Sequence, residues 1–131
     1  RFSVNDEGNL ICQVFQGGSL LTAQPLVSGI AQMRALYGLD TDADGVANQY
    51  LTASLVGAAN WVKVVAIRIG LVVQSGDNQE LPAPFRPDTE EELDLLGATF
   101  TAQDTHHVYK AASTTISLRN LHHINRQASD N

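Results

Sequence analysis

Apolar and polar positions alternate most clearly in Val64–Gln74, where Val65, Ile67, Ile69, Leu71 and Val73 occupy every odd position. The even positions mix Val64, Ala66, Arg68, Gly70, Val72 and Gln74. A period of two rich in β-branched residues predicts a strand whose odd face packs on something large. Gly70 on the opposite face predicts close approach by another backbone. Trp61, just ahead of the strand, is placed to cap the edge of the core. A second alternation, Thr114, Ile116 and Leu118 against Thr115, Ser117 and Arg119, predicts a half-buried strand over Ser113–Leu121.

Two further stretches are apolar. Asn9–Phe15 is entered from the turn-like Asn5-Asp6-Glu7-Gly8 and left through Gly17-Gly18, which predicts a short strand in a hairpin. Leu26–Leu39 fits two patterns: Leu26, Ile30, Met33 and Tyr37 make a helical stripe, whereas Met33, Ala35, Tyr37 and Leu39 make a strand face. Pro25 and Gly29 weigh against a continuous helix, so a strand from about Ala31 to Leu39 is expected. Ser75–Gly97 holds Pro82, Pro84, Pro87 and seven of the fourteen acidic residues. It reads as a surface loop with one short helix over Glu90–Leu96, capped by Asp88 or Thr89 and stopped by Gly97. The outcome is an antiparallel sheet of about four strands with long connections. An apolar sheet face needs a cover, yet no stretch forms a long amphipathic helix. The lid is missing.

At 131 residues and 14.1 kDa the chain has the size of one domain, spanning 1–131, and its 44% hydrophobic content suffices for a core. Net charge is −6. The basic residues Arg1, Arg34, Lys63, Arg68, Arg86, Lys110, Arg119 and Arg126 stand singly, which argues against nucleic acid as a partner. The single cysteine, Cys12, lies in an apolar stretch and reads as a small buried hydrophobe. The alternative is a partner cysteine lost from the chain, which starts at Arg1 without methionine, signal peptide or membrane-spanning run.

Asp40-Thr41-Asp42-Ala43-Asp44-Gly45 is the strongest chemical motif. Carboxylates at alternate positions followed by glycine at the sixth converge on one point and favour a hard divalent cation, calcium. The continuation offers the carbonyl of Val46 and, through water, Asn48. Leu51 stands where an EF-hand has its bidentate acid, so a standard EF-hand is excluded. A looser calcium loop and a solvent-exposed Asp/Gly turn both remain open.

The pairs His106-His107 and His122-His123 point to opposite sides of an extended chain and give at most one metal ligand per face. Ser113, Ser117 and Ser129 have histidines near in sequence but lie in no strained nucleophile turn. Cys12 in an apolar strand reads as inert. Gly17-Gly18-Ser19 is too short for a phosphate cradle, and Glu90-Glu91-Glu92 is a solvated run. No catalytic site assembles from these residues.

The order of features resembles the C-terminal domain of PilW-type minor pilins of type IV pilus systems. Leu26-Val27-Ser28-Gly29-Ile30 leading to Tyr37-Gly38-Leu39 and the Asp40–Gly45 loop is similar to the family's tyrosine-glycine strand end and aspartate loop. Trp61 with Val64–Ile69, running on to Ser75, is similar to its tryptophan-led central strand. Thr114-Thr115-Ile116-Ser117-Leu118-Arg119-Asn120 is similar to its closing strand. The resemblance implies an α+β, pilin-like fold in which an N-terminal helix lies across an antiparallel sheet. That helix would supply the lid, and it is absent from this chain, to be provided in cis or by another chain. It also implies a non-catalytic role in pilus assembly or at the filament tip, or as a pseudopilin in type II secretion. The implied partners are other minor pilins, the major pilin and a tip adhesin. The implied places are the inner membrane and periplasm before assembly and the surface filament afterwards. The aspartate loop becomes a structural calcium site held by Asp40, Asp42, Asp44, Val46 and Asn48. A free-standing extracellular calcium-stabilised adhesin or carbohydrate-binding module is the alternative, although aromatic residues are few and Trp61 reads as core. A small hydrolase is the third.

Overall fold

The computed structural model describes residues 1–118. Its elements open with strand β1 (Phe2–Val4) and β2 (Leu10–Cys12), followed by a small hairpin, β3 (Phe15–Gln16) with β4 (Ser19–Leu20), and by β5 (Gln24–Val27). Next come β6 (Ile30–Leu39), β7 (Gln49–Leu51), the single-turn helix α1 (Ala53–Val56) and β8 (Val64–Gln74), then β9 (Glu92–Leu95), β10 (Ala98–Thr101) and β11 (Tyr109–Ser117). One antiparallel sheet has the order β1-β2-β5, and a larger one has the order β11-β8-β6-β7. The chain packs as two units: residues 1–34 with 70–112, and residues 35–69 with 113–118.

In the first unit, Asn5 sets the hairpin between β1 and β2. Its side-chain oxygen accepts the Asn9 N–H at 2.8 Å and its carbonyl accepts the Gly8 N–H at 3.0 Å. The core here is Val72, Leu95, Ala102 and Tyr109, with Ala31, Leu93, Phe100 and Ala111 against it. The cover over Val72 comes from β9 and β10, paired with Leu95 opposite Ala98. The expected helix over Glu90–Leu96 is therefore a strand hairpin. Leu93 and Leu95 alternate with Glu92 and Asp94, and the acidic run that resembled a helix start is the solvent face of β9. Leu96 and Gly97 turn the corner with φ of 52° and 79°, both left-handed as a two-residue type I′ turn demands.

In the second unit, Leu39, Val56 and Val64 are buried, with Tyr37, Leu51 and Leu118 packed around them. Trp61 meets Tyr37 edge-on at 4.8 Å. It guards the rim of this core rather than entering it, for it stays 41% exposed. Gly38 lies under β7 and the chain leading to it. A Cβ there would stand 2.7 Å from the Ala47 Cβ and 2.9 Å from the Tyr50 ring.

Three expectations need correction. The sheet does have four strands, but β7 takes the place expected of Asn9–Phe15, whose β2 portion belongs to the three-stranded sheet. The last strand begins at Tyr109 rather than Ser113, and residues 119–121 of the expected span lie outside the described residues. The odd face of β8 is not the better-packed one in its C-terminal half: Gly70 and Val72 are buried, whereas Val73 is 36% exposed. Periodicity shows that a face is apolar but not where its cover lies. The close approach at Gly70 comes from side chains, Leu95 Cδ1 and Leu96 Cγ, which would meet a Cβ at 2.8 and 3.0 Å.

The described residues are chiefly β-structure with one α-helical turn and three short 3-10 helices, so the long helix of the expected α+β fold does not appear among them. None of their helices is long and apolar enough to cross a membrane.

β6 is anchored by backbone bonds at both ends. At one end Gly29 accepts the Gln74 N–H from β8 while the Ile30 N–H points away, to Gly8. At the other, the Asp40 N–H reaches Lys63 and the Leu39 carbonyl faces away, to Asn48.

The Ala47 Cβ is fixed to the backbone and cannot swing aside. Gly38→Ala is accordingly expected to destabilise the protein by about 1–3 kcal/mol, read as a lower urea midpoint with an unchanged slope. An unaltered midpoint would show that this packing yields.

Candidate functional site

The aspartate loop is held between paired strands. Tyr37 lies opposite Leu51, Gly38 opposite Tyr50 and Leu39 opposite Gln49, so the eight residues from Asp40 to Ala47 and the following Asn48 close a hairpin. Inside it Asp40 accepts the Gly45 N–H at 2.8 Å and the Asp44 N–H at 3.2 Å. Asp44 accepts the Val46 N–H at 2.8 Å. These bonds curl the chain through Ala43 and Gly45 and bring oxygens of Asp40, Asp42 and Asp44 within 4.8 Å of one another. Ligands on opposite sides of a calcium ion stand about 4.6–5.2 Å apart, twice the usual Ca–O distance. Three carboxylate oxygens this close could hold a hard divalent cation between them. Burial pushes the Asp40 carboxyl up, but hydrogen bonds from Gly45, Ala43 and Asp44 and with Asp42 outweigh it and hold the group below the ordinary carboxylate value.

Val46 is 63% exposed. Asn48 locks the mouth of the loop, since its side-chain oxygen accepts the Thr41 hydroxyl at 2.8 Å and the Thr41 N–H at 3.2 Å. Sequence reasoning did not find the neighbouring brace. The Arg68 guanidinium lies 3.9 Å from the centre of the Tyr50 ring and its Nε donates to Thr115 Oγ1 at 3.3 Å. No local motif announces such a contact, because Arg68 and Thr115 are 47 residues apart.

The histidines take acidic partners. His106 Nδ1 lies 3.1 Å from Glu80, which also holds Arg86. His107 is buried, with Nδ1 3.1 Å from Asp104 Oδ1; the same oxygen accepts the His106 N–H at 2.9 Å. Among the described residues, only Asp40, Asp42 and Asp44 form a group of three or more potential metal ligands. His122, His123 and Ser129 lie outside the described residues. Cys12 is a half-buried free thiol in β2, and Ser113 and Ser117 sit exposed on β11.

Apolar residues of the sheet in the second unit are only partly covered. Ile67 and Ile69 are half-buried and Ile116 is 47% exposed. The Leu118 N–H bonds to the Val65 carbonyl, a register that sets Ile116 beside Ile67. A chain with an apolar strand row and an aspartate hairpin, in this order, matches the family model of type IV pilus-assembly protein W over residues 2–120. The chain belongs to that family. No curated protein and no solved structure matches it significantly.

PilW membership connects the chain to type IV pilus assembly, and hence to the pilus or cell envelope and to other pilus components. This is an assembly family rather than a family of known enzymes. Its match runs through both the aspartate loop and the strands that hold it.

Asp104 serves this PilW-family fold as a half-buried tie to buried His107. Burial pushes its carboxyl up, yet the bond to His107, the His106 N–H and the two imidazoles together hold it below the ordinary value. A carboxyl depressed by folding adds stability above its unfolded pKa, and that contribution is lost as pH falls through the folded value. Asp104→Asn should therefore lower the urea midpoint at neutral pH, with the gap to the parent protein closing below about pH 4. A gap independent of pH would rule out a charge-based role.

Proposed function

We propose that this chain is a non-catalytic minor pilin or pseudopilin subunit that acts in type IV pilus assembly or at the filament tip. Its fold is taken as the pilin-like α+β type, with a helix lying on the open apolar row of the sheet. The observation that carries this reading is the row Ile67, Ile69 and Ile116, half-buried at the first two positions and 47% exposed at the third, within a pilus-assembly family. Full burial of an exposed side chain of this size stabilises by about 1.5–3 kcal/mol, and these three, already partly buried, would each add part of that beneath a helix, in cis or from another chain. Other minor pilins, the major pilin and a tip adhesin are the partners, in the inner membrane and periplasm first and on the filament afterwards.

The test places a charge on the seat. Ile69→Glu, produced from the full-length gene in place of the parent, should remove the subunit from sheared pili and reduce pilus number by about tenfold or more, a loss of at least about 1.4 kcal/mol in packing. Normal pili carrying the variant would sink the reading.

Within this role the aspartate loop is a structural calcium site, with Asp40, Asp42 and Asp44 as carboxylate ligands, the Val46 carbonyl as another, and Asn48 contributing through water. Calcium there would neutralise three clustered carboxylates and stiffen the hairpin at the edge of the sheet. Sites of this kind outside the cytoplasm bind at about 10⁻⁴–10⁻³ M. About 10 mM calcium should then raise the melting temperature by several degrees, and the double change Asp42→Asn, Asp44→Asn should abolish the rise. Equal melting with calcium and with chelator would leave the loop a plain Asp/Gly turn.

A further inference from the structure

The three-stranded sheet has two edges, and they are treated differently. Its β5 edge carries Pro25 and a register shift between Leu10 and Ile11 of β2, two devices that spoil an edge for further pairing. The β1 edge has neither. The Gln13 N–H donates to the Arg1 carbonyl and the Asn5 N–H to the Asn9 carbonyl, so Arg1, Ser3 and Asn5 turn their backbone groups towards β2. Phe2 and Val4 therefore turn theirs outward, and among the described residues β1 pairs with β2 alone.

An open cleft of about 380 Å³ runs between residues 1–5 and residues 31–33 of β6. Its far wall also presents free backbone. With Gly29 facing β8 and the Ile30 N–H facing Gly8, Gln32, two residues further along, directs its N–H and carbonyl away from β8. β7 reaches β6 only at Tyr37–Leu39, so it does not cover this stretch. Phe2, 61% exposed, forms a ledge at the cleft.

We propose that this cleft receives an extended, alternately apolar segment of another pilus subunit, which adds to β1 as a new edge strand. Outward N–H and carbonyl groups at Phe2 and Val4, one strand repeat apart, match another extended backbone and neither a helix nor a small molecule. The ledge at Phe2 selects an apolar side chain at alternate positions of the incoming strand. The identity of the partner as a pilus subunit rests on the assembly role proposed above; the strand-accepting edge itself does not.

Amide hydrogen exchange on the 131-residue chain, read residue by residue, tests the edge directly. In the protein alone the amides of Phe2, Val4 and Gln32 should exchange rapidly while that of Ser3 is protected. Adding the hexapeptide Thr-Val-Thr-Val-Thr-Val at millimolar concentration should protect Phe2 and Val4. Val4→Pro removes one outward donor and leaves the bonds to β2 intact; Phe2→Lys leaves every backbone bond and charges the ledge. Each should weaken the peptide's effect about tenfold, the value of one hydrogen bond or one apolar contact. If Val4→Pro unfolds β1, seen as lost protection at Ser3, Phe2→Lys alone decides. Phe2 and Val4 amides already protected in the isolated protein, peptide protection confined to β5, or no protection at all would each overturn the strand-accepting edge. None of these would touch the pilus reading, which stands or falls with pilus number in the Ile69→Glu strain.

Discussion

A strand with apolar residues on both faces has to be covered twice, and β8 is such a strand. Its even residue Val72 is sealed inside the unit formed by residues 1–34 and 70–112, where Leu95 and Tyr109 close over it. Its odd residues Ile67 and Ile69, in the other unit, are sealed by nothing comparable among the described residues. The hydrophobic effect acts equally on both faces. What differs is that the described residues bury Val72 completely and Ile67 and Ile69 only in part.

Legibility in the sequence followed the range of the interactions. The bounds of β8 could be read to the residue because eleven positions of alternation leave little freedom. Gly70 was recognisable as a contact point, since glycine on a strand face has few other uses, although the atoms that approach it are leucine side chains. The β9–β10 hairpin was missed because three glutamates ahead of a leucine run suit a helix start as well as a strand face, and because Leu-Gly is an unusual corner. Leu26–Leu39 kept two readings because Leu26, Ile30, Met33 and Tyr37 also fall at helical spacing. The tie from Asp104 to His107 and the stacking of Arg68 on Tyr50 had no local signature.

The aspartate loop and the two apolar features divide the functional load by chemistry. Carboxylates drawn within 4.8 Å of one another repel, and the hydrogen bonds inside the loop, strong enough to hold Asp40 below the ordinary carboxylate value, offset that repulsion. The row at Ile67, Ile69 and Ile116 asks for apolar cover. The outward edge of β1 asks for backbone partners. Each demand differs in salt and pH dependence, so assembly, edge pairing and loop stiffness can be separated in solution.

Leu96 holds a left-handed backbone that branched and bulky residues avoid at a cost of roughly 1–2 kcal/mol, while its side chain rests where the missing side chain of residue 70 would be. Glycine at 96 would relax the turn but strip the roof from β8; any side chain at 70 would evict the leucine. The two positions are thus free to drift only in concert. Among homologous chains, a residue larger than glycine at position 70 should be accompanied by one smaller than leucine at position 96, a covariation written by sterics rather than by function.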